Sequence, residues 1–171
     1  MRTQMRTQLK INGELKDVEI ENGEITIIEP EKKATGWERV KKMEKYNYIS
    51  IDATSNLDIE SYTPSDDAAY NAANYFADKH LAKNITRMQT LQRRMFRWQA
   101  ENDANFETRM DAKKYAISND SLNGIRACEI YVDAGFLPYF SSKEKAKECI
   151  EVFKHELIWL FTEFRWRMDG E

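Results

Sequence analysis

The sequence predicts an α+β fold in which an N-terminal β-meander precedes two tandem units, each a small antiparallel sheet followed by one long helix. Three observations support this prediction: paired Asn-Gly turns near the start, motifs that recur later in the chain, and two amphipathic segments of helix length. The predicted domains are the meander at residues 1–34, a first sheet-helix repeat with its linker at 35–111, and a second sheet-helix repeat at 112–171.

The meander is predicted from Asn12-Gly13 and Asn22-Gly23, because type I′ hairpin turns require positive φ at both central residues. Alternating apolar residues around these turns indicate three short strands. The opening residues 1–8 contain the same four letters twice and are left out of the fold prediction. Thr35 is expected to cap a short helical turn over 37–43.

The tandem repeat consists of three pairs of motifs in the same order. Residues 46–50 match 114–118, residues 75–79 match 139–143, and residues 96–98 match 164–166. The separation drifts from about 64 to 68 residues, as expected of two diverged copies with small insertions. We therefore expect the second unit to repeat the plan of the first.

In the first repeat, strands are predicted over 46–51 and 57–63, followed by a loop and an extended piece at 75–76. Asp78 is a favourable N-cap, because its carboxylate accepts hydrogen bonds from the unpaired amides of a first helical turn. The helix that begins there is predicted to continue to about Ala100.

In the second repeat, strands are predicted over 114–118, 125–132 and 136–140. Asn123-Gly124 and Gly135 mark the turns between them. Ser141 or Ser142 is expected to cap a helix that continues to about Met168, with Glu144 near the capping-box position.

The composition is typical of a globular protein, with 171 residues of which 42% are hydrophobic and 32% are charged. A net charge of -3 argues against generic nucleic-acid binding. Cys128 and Cys149 form no disulfide pattern, and the sequence shows neither a signal peptide nor a long apolar run. We therefore expect a cytoplasmic protein that does not associate with membranes.

The sequence contains no motif typical of an enzyme. His80 and His155 lie at unmatched places in the two repeats, and no cysteine or carboxylate stands near them at metal-ligand spacing. The six glycines form no phosphate-binding loop. Carboxylates that follow the first strand are interpreted as polar loop residues rather than as magnesium ligands. We predict no catalytic residue, no metal and no cofactor.

The helix of the first repeat is predicted to carry a basic stripe opposite its apolar face. The stripe comprises Lys79, Lys83, Arg87, Arg94 and Arg97. These residues fall within an arc of roughly 80°, and no acidic residue occurs between 79 and 100. One interpretation is contact with an anion or an acidic partner. The other is a solvated stripe, or one neutralised within the fold by the carboxylates Asp52, Asp58, Glu60, Asp66 and Asp67.

The helix of the second repeat is predicted to be apolar on two sides. Its second apolar line contains Val152, Trp159 and Trp166, spaced by seven residues. A helix that is apolar on two sides requires cover on both. The N-terminal meander is one candidate cover, and a protein–protein interface with a second copy or a target protein is the other.

Several segments resemble small accessory proteins of phages and prophages of low-GC Gram-positive bacteria. The resemblance rests on the motif at 46–50, an acidic turn, the motif at 73–79, and segments 9–13 and 35–40. It covers most of the chain, but its motifs are structural and imply no catalytic residues. Such proteins are often stoichiometric inhibitors of host immunity, so the resemblance implies a viral, counter-defence protein acting in the host cell.

The leading hypothesis is therefore non-enzymatic, anti-CRISPR-like inhibition of a host immune effector protein by stoichiometric binding. The first alternative is an oligomeric sponge, such as a homodimer, that sequesters a nucleotide-derived immune signal. The second alternative is a phage protein associated with nucleic acid. The basic stripe and the second apolar line are the candidate contact surfaces of the inhibitor. The sponge would use arginine and lysine for phosphates and tyrosine or tryptophan for base stacking.

Overall fold

Seven strands in three antiparallel sheets and four helices make up the described part of the chain, which confirms the predicted α+β fold. The structure, a computed structural model, describes residues 4–28, 34–103, 113–120, 122, 124–130 and 136–165. The chain divides into two units, Met1–Lys33 and Ala34–Glu171.

The N-terminal unit is the predicted meander, formed by strands β1 (Gln4–Ile11), β2 (Glu14–Glu21) and β3 (Glu24–Ile27) in the order β1-β2-β3. Both Asn-Gly turns have the expected geometry, with φ of 52° and 89° at the first pair and 53° and 85° at the second. Strand β1 also includes residues 4–8, which the sequence prediction left out, because their backbone pairs with β2 as far as Glu21.

The first repeat contains β4 (Lys45–Ile49) paired with β5 (Ser55–Ile59), then α1 (Pro64–Asn71) and α2 (Lys79–Asn102). Asp78 caps α2 as predicted, since its carboxylate accepts a 2.7 Å hydrogen bond from the Leu81 amide. Helix α1 replaces the predicted loop. Thr63 and Asp66 form a capping box at its start, and Pro64 has the fixed φ that favours a first helical position.

The second repeat contains β6 (Lys114–Asp120) paired with β7 (Gly124–Ile130), then α3 (Lys143–Val152) and α4 (Lys154–Thr162). Ser142 caps α3 through a 3.1 Å bond from the Lys145 amide to its hydroxyl. The single long helix of the prediction is thus two shorter helices, because the chain turns at Phe153 (φ −109°, ψ 21°). Gly135 and the predicted helix end near Met168 lie outside the described residues.

Each repeat joins its sheet to its helix by the same backbone bridge. Asn47 and Phe76 exchange two hydrogen bonds of 2.8 Å, and Tyr115 and Phe140 exchange bonds of 3.0 and 2.8 Å. These pairs occupy matching places in the repeated motifs, and each phenylalanine lies two residues before the N-cap residue of the following helix. The predicted strand at 136–140 is reduced to this one bridge at Phe140.

The predicted helical turn at 37–43 is wrong. The backbone there bonds to other elements instead of to itself: the Val40 amide donates to the Tyr75 hydroxyl, and the Met43 amide donates to the Glu60 carbonyl. Thr35 does not cap a helix, because Glu38 folds back to accept hydrogen bonds from the Thr35 and Gly36 amides.

Helix α2 runs through both apolar clusters of the Ala34–Glu171 unit. Near its start, Leu81, Ala82 and Ile85 pack with Phe76. Further along, α2 meets β6, β7, α3 and α4 in the larger cluster. The buried residues there include Leu91, Met95, Ile117, Phe140, Phe153, Leu157 and Leu160. The apolar face of α2 is therefore inside, and its opposite face carries the basic stripe.

Candidate anion-binding cleft

A cleft of about 610 Å³ opens beside the basic stripe of α2. Three members of the stripe line it, namely Lys83, Arg87 and Arg94. The cleft is completed by the start of β5 and by the first turn of α4. Its remaining lining residues are Ala53, Thr54, Ser55, Thr86, Thr90, Leu91, His155 and Glu156.

Helix geometry places the three cations along one wall of the cleft. Lys83 and Arg87 lie one turn apart, and Arg94 lies about two turns further on. Arg94 forms a 3.1 Å ion pair with Glu156 of α4. Lys83 and Arg87 make no ion pair within the described residues. Three cations thus face one carboxylate, and the cleft has an excess of positive charge.

Arg87 links the basic stripe to the second apolar line. Its guanidinium lies 4.0 Å from the ring centroid of Trp159, within the range of a cation–π contact. The same indole packs edge-on against Phe164, with ring centroids 5.7 Å apart. Trp159 is consequently only 7% exposed.

Ser55 lines the cleft, but its hydroxyl is buried beneath the surface. Its Oγ atom is buried and has no hydrogen-bond partner, unlike the other buried side-chain oxygen and nitrogen atoms of the described residues. A buried hydroxyl without a partner costs free energy.

The stripe residues outside the cleft are Lys79 and Arg97. Both side chains are exposed, and neither makes an ion pair within the described part of the chain. The five predicted stripe residues are therefore divided: three meet at one cleft and two lie on open surface of α2.

Four of the five carboxylates considered as neutralising partners of the stripe are engaged elsewhere, and the fifth, Asp58, is exposed and accepts a hydrogen bond from the Ile59 amide. Arg39 bonds Glu60 at 2.9 and 3.1 Å and forms a 2.7 Å ion pair with Asp67. Asp52 accepts hydrogen bonds from Ser50 and Thr54. Arg39 is not among the site residues predicted from the sequence, because it lies in an irregular segment without a periodic pattern.

Glu60 and Asp66 form the centre of a buried polar network. Glu60 is fully buried and accepts a 2.8 Å bond from the Tyr75 hydroxyl, while Asp66 accepts a 2.9 Å bond from the Tyr46 hydroxyl. The Arg39 guanidinium holds the pKa of Glu60 below its usual value. Hydrogen bonds from Thr63 similarly lower the pKa of Asp66. These contacts give both carboxylates a structural role.

The predicted interface line is only partly at the surface. Val152 is 56% exposed, whereas Trp159 is buried beneath Arg87 and Phe164. Trp166 lies outside the described residues. The cover of Trp159 thus comes from side chains of α2 and of the segment after α4.

The histidines and the buried cysteine considered as reactive groups lie at different places in the fold. His155 lines the cleft and His80 is exposed on α2. Burial raises the pKa of the Cys149 thiol to about 12, so it stays protonated near neutral pH. Within the described ranges, no group of three histidine, cysteine, aspartate or glutamate residues is arranged to hold a metal ion.

A second, apolar groove of about 590 Å³ lies elsewhere on α2. Its lining residues are Trp37, Ile85, Met88, Gln92, Phe136 and Phe164. Gln92 donates a hydrogen bond to the Phe136 carbonyl at this groove.

None of the helices in the described residues has the length and apolar character needed to cross a membrane. Comparison with known proteins yields no matching family model, no similar curated protein and no similar solved structure.

Proposed function

We propose that the protein binds, without chemical conversion, a small phosphate-bearing ligand of nucleotide type in the α2 cleft, and so sequesters it. The observation that carries this proposal is the meeting of Lys83, Arg87 and Arg94 at one concave site. This proposal is the sponge hypothesis of the sequence analysis, except that the binding site lies within one copy of the chain.

Charge and shape both support a small anion. Lys83 and Arg87 have no carboxylate partner within the described residues, so their charges are available to a phosphate. The volume of about 610 Å³ falls within the roughly 300–1,000 Å³ typical of small-molecule sites.

The proposal is tested by calorimetric titration of the full chain with pyrophosphate, ATP and a cyclic dinucleotide. We expect at least one to bind, and binding at a ligand concentration of 100 times Kd to add about 2.7 kcal/mol to the free energy of unfolding. Lys83→Gln combined with Arg87→Gln should weaken binding by at least about tenfold, because two charge-assisted contacts are lost.

Lys79→Gln combined with Arg97→Gln is the matched control, because it removes the same charge from the same helix outside the cleft. It should bind as the parent chain does. Absence of binding by all three probes, or equal loss in both double variants, would contradict the proposal. A thermal melt of each variant checks that the fold is retained, since Arg87 also covers Trp159.

A second candidate is the counter-defence inhibitor that binds a host immune effector protein directly. It is favoured by Lys79 and Arg97, which are exposed and unpaired among the described residues and extend the positive surface beyond the cleft. In a nuclease assay with equimolar protein, this candidate predicts inhibition that the Lys79→Gln, Arg97→Gln variant loses. Inhibition that is unchanged in this variant would contradict it.

The nucleic-acid alternative predicts a different dependence of binding on salt concentration. Duplex binding through several phosphates weakens steeply as salt rises, with a slope set by the number of phosphates contacted. Salt-steep duplex binding that exceeds binding of the three small probes would favour that alternative over the cleft proposal.

A further inference from the structure

We infer that the second repeat holds a second, weaker cleft for a phosphate-bearing anion, in the position that matches the α2 cleft. This inference rests on the proposed function, since it assigns the same ligand class to a second site. It would give the chain two binding sites, one for each repeat.

A separate cleft of about 540 Å³ lies between the start of β7 and one side of α3, from its first turn to its last. It is lined by Ile125, Arg126, Ala127, Lys143, Lys147, Ile150 and Glu151. Three of these residues are cations, and they come from a strand and a helix that the internal repeat relates to β5 and α2.

The strand register fixes the equivalence of the sheet residues. Ser118 pairs with Arg126 in the second repeat, and its counterpart Ser50 bonds through its amide to the Thr54 carbonyl at 2.9 Å. Arg126 therefore corresponds to Thr54. The neighbouring residues Ile125 and Ala127 then correspond to Ala53 and Ser55, all of which line their respective clefts.

The N-caps fix the equivalence of the helix residues. Asp78 and Ser142 cap α2 and α3 at matching positions. Counting from these caps, Lys147 corresponds to Lys83, Ile150 to Thr86 and Glu151 to Arg87. Every residue that lines the second cleft, except Lys143, thus has a counterpart that lines the first.

The second cleft, like the first, is lined by three cations and one carboxylate, but here the carboxylate lies on the same helix as two of the cations. Lys143 and Lys147 make no ion pair within the described residues. Arg126 is paired with Asp120 at 2.7 Å. Glu151 stands where the first cleft has Arg87 and is joined to Lys154 at 3.4 Å. The carboxylate at this position opposes a phosphate, so we expect lower affinity than at the first cleft.

The difference in uncharged lining also separates the two sites. Ala127 and Ile150 occupy the places of Ser55 and Thr86. The second cleft therefore has fewer hydroxyls to recognise a ligand, and we expect it to select mainly by charge.

The experiment is a titration of the full chain with pyrophosphate, in which the NMR chemical shifts of the backbone amides are measured at each concentration. We expect one set of shifts around Lys83 and Arg87, and a second set around Arg126, Lys143 and Lys147 that saturates at a concentration at least about tenfold higher. Lys143→Gln combined with Lys147→Gln should abolish the second set and leave the first.

Variants at Glu151 test the role of its carboxylate. Glu151→Arg should lower the half-saturation concentration of the second set of shifts by about tenfold. If Glu151→Arg disturbs α3, Glu151→Gln should also lower that concentration. Lys145→Gln is the matched control, because Lys145 lies on the same helix but pairs with Glu148 outside the cleft. It should leave both sets unchanged.

Each alternative outcome is distinct. Shifts at the first cleft alone would overturn the second site while the proposed function stands. Shifts at neither cleft would overturn the inference, and they would overturn the proposed function as well when ATP and the cyclic dinucleotide also fail to bind. A second set that persists in the Lys143→Gln, Lys147→Gln variant would show non-specific surface binding and overturn the inference.

Discussion

At the scale of single residues, Glu60 shows how this small protein keeps a charged group inside. Its carboxylate is fully buried, yet Arg39, the Tyr75 hydroxyl and the Tyr62 amide all donate hydrogen bonds to it. A buried charge with every partner in place is tolerated, whereas removal of one partner leaves an uncompensated group.

The network should make stability depend on pH at both ends of the scale. The pKa values of Glu60 and Asp66 are lowered on folding, so their contribution is present above the usual carboxylate values of 4.5 and 3.8 and is lost as pH falls below them. Burial, followed by hydrogen bonds to these carboxylates, raises the pKa of Tyr75 and Tyr46 above 10.0. Their contribution is present below that pH and is lost as pH rises through the raised values.

We therefore expect the melting temperature to be flat from about pH 5 to 10 and to fall on both sides. Glu60→Gln should lower the melting temperature at neutral pH and flatten the fall on the acid side. Circular dichroism melts across pH check this, with Glu163→Gln, an exposed carboxylate, as the control. An acid slope that Glu60→Gln leaves unaltered would contradict the role of this network.

At the scale of elements, the bridge that joins each sheet to its helix is supported by a buried aromatic residue. Phe140 and Phe76 are 0% and 1% exposed. Phe140 belongs to the larger apolar cluster, where Trp98 meets its ring edge-on with centroids 6.1 Å apart.

Phe140→Ala should lower the free energy of unfolding by about 3–5 kcal/mol, because it removes a large core side chain and leaves a cavity. Urea denaturation measures the loss. Phe96→Ala is the matched control: Phe96 is 46% exposed on α2, so its loss should cost less than about 1 kcal/mol. Equal losses in the two variants would contradict the place of Phe140 in the core.

The sequence predicts most elements because local signals determine them. The Asn-Gly turns, the cap at Asp78 and the apolar spacing of α2 are all local. Helix α1 was also predictable, since Thr63, Pro64 and Asp66 together form a capping box with proline at the first helical position.

Two features of the fold depend on tertiary contacts and could not be predicted from local sequence patterns. The turn at Phe153 is hidden in the sequence, because Ile150, Phe153 and Leu157 are all buried and the apolar pattern continues through it. The segment at 37–43 has helix-like composition, but its amides bond to Tyr75 and Glu60.

The cleft could be predicted from the sequence only in part. Periodicity alone predicts the basic stripe on α2, and three of its five members meet at the cleft. The contributions of Ser55 and Glu156 depend on where β5 and α4 pack, which no local pattern specifies. The burial of Trp159 likewise depends on Arg87, which is 72 positions earlier in the chain.

At the scale of the whole molecule, the cleft proposal needs only one copy of the chain. The three cations of the cleft lie on one helix, and Trp159 is buried by side chains of the same chain. The sequence-based sponge hypothesis predicts a homodimer. The cleft, in contrast, predicts a monomer that can bind the ligand.

We therefore expect light scattering to give a mass of 20.2 kDa, with and without ligand. Val152→Glu, which changes the exposed member of the second apolar line, should leave that mass unaltered. A mass near twice this value that Val152→Glu halves would contradict the monomer and assign this line to self-association.

The contact between Arg87 and Trp159 has an optical consequence. Indole emission responds to nearby charge and to water, and here a guanidinium lies 4.0 Å above the ring at the edge of the cleft. A phosphate that draws Arg87 away would alter both influences at once. Under the proposed function, the emission of Trp159 would therefore report ligand binding in the cleft without any added label.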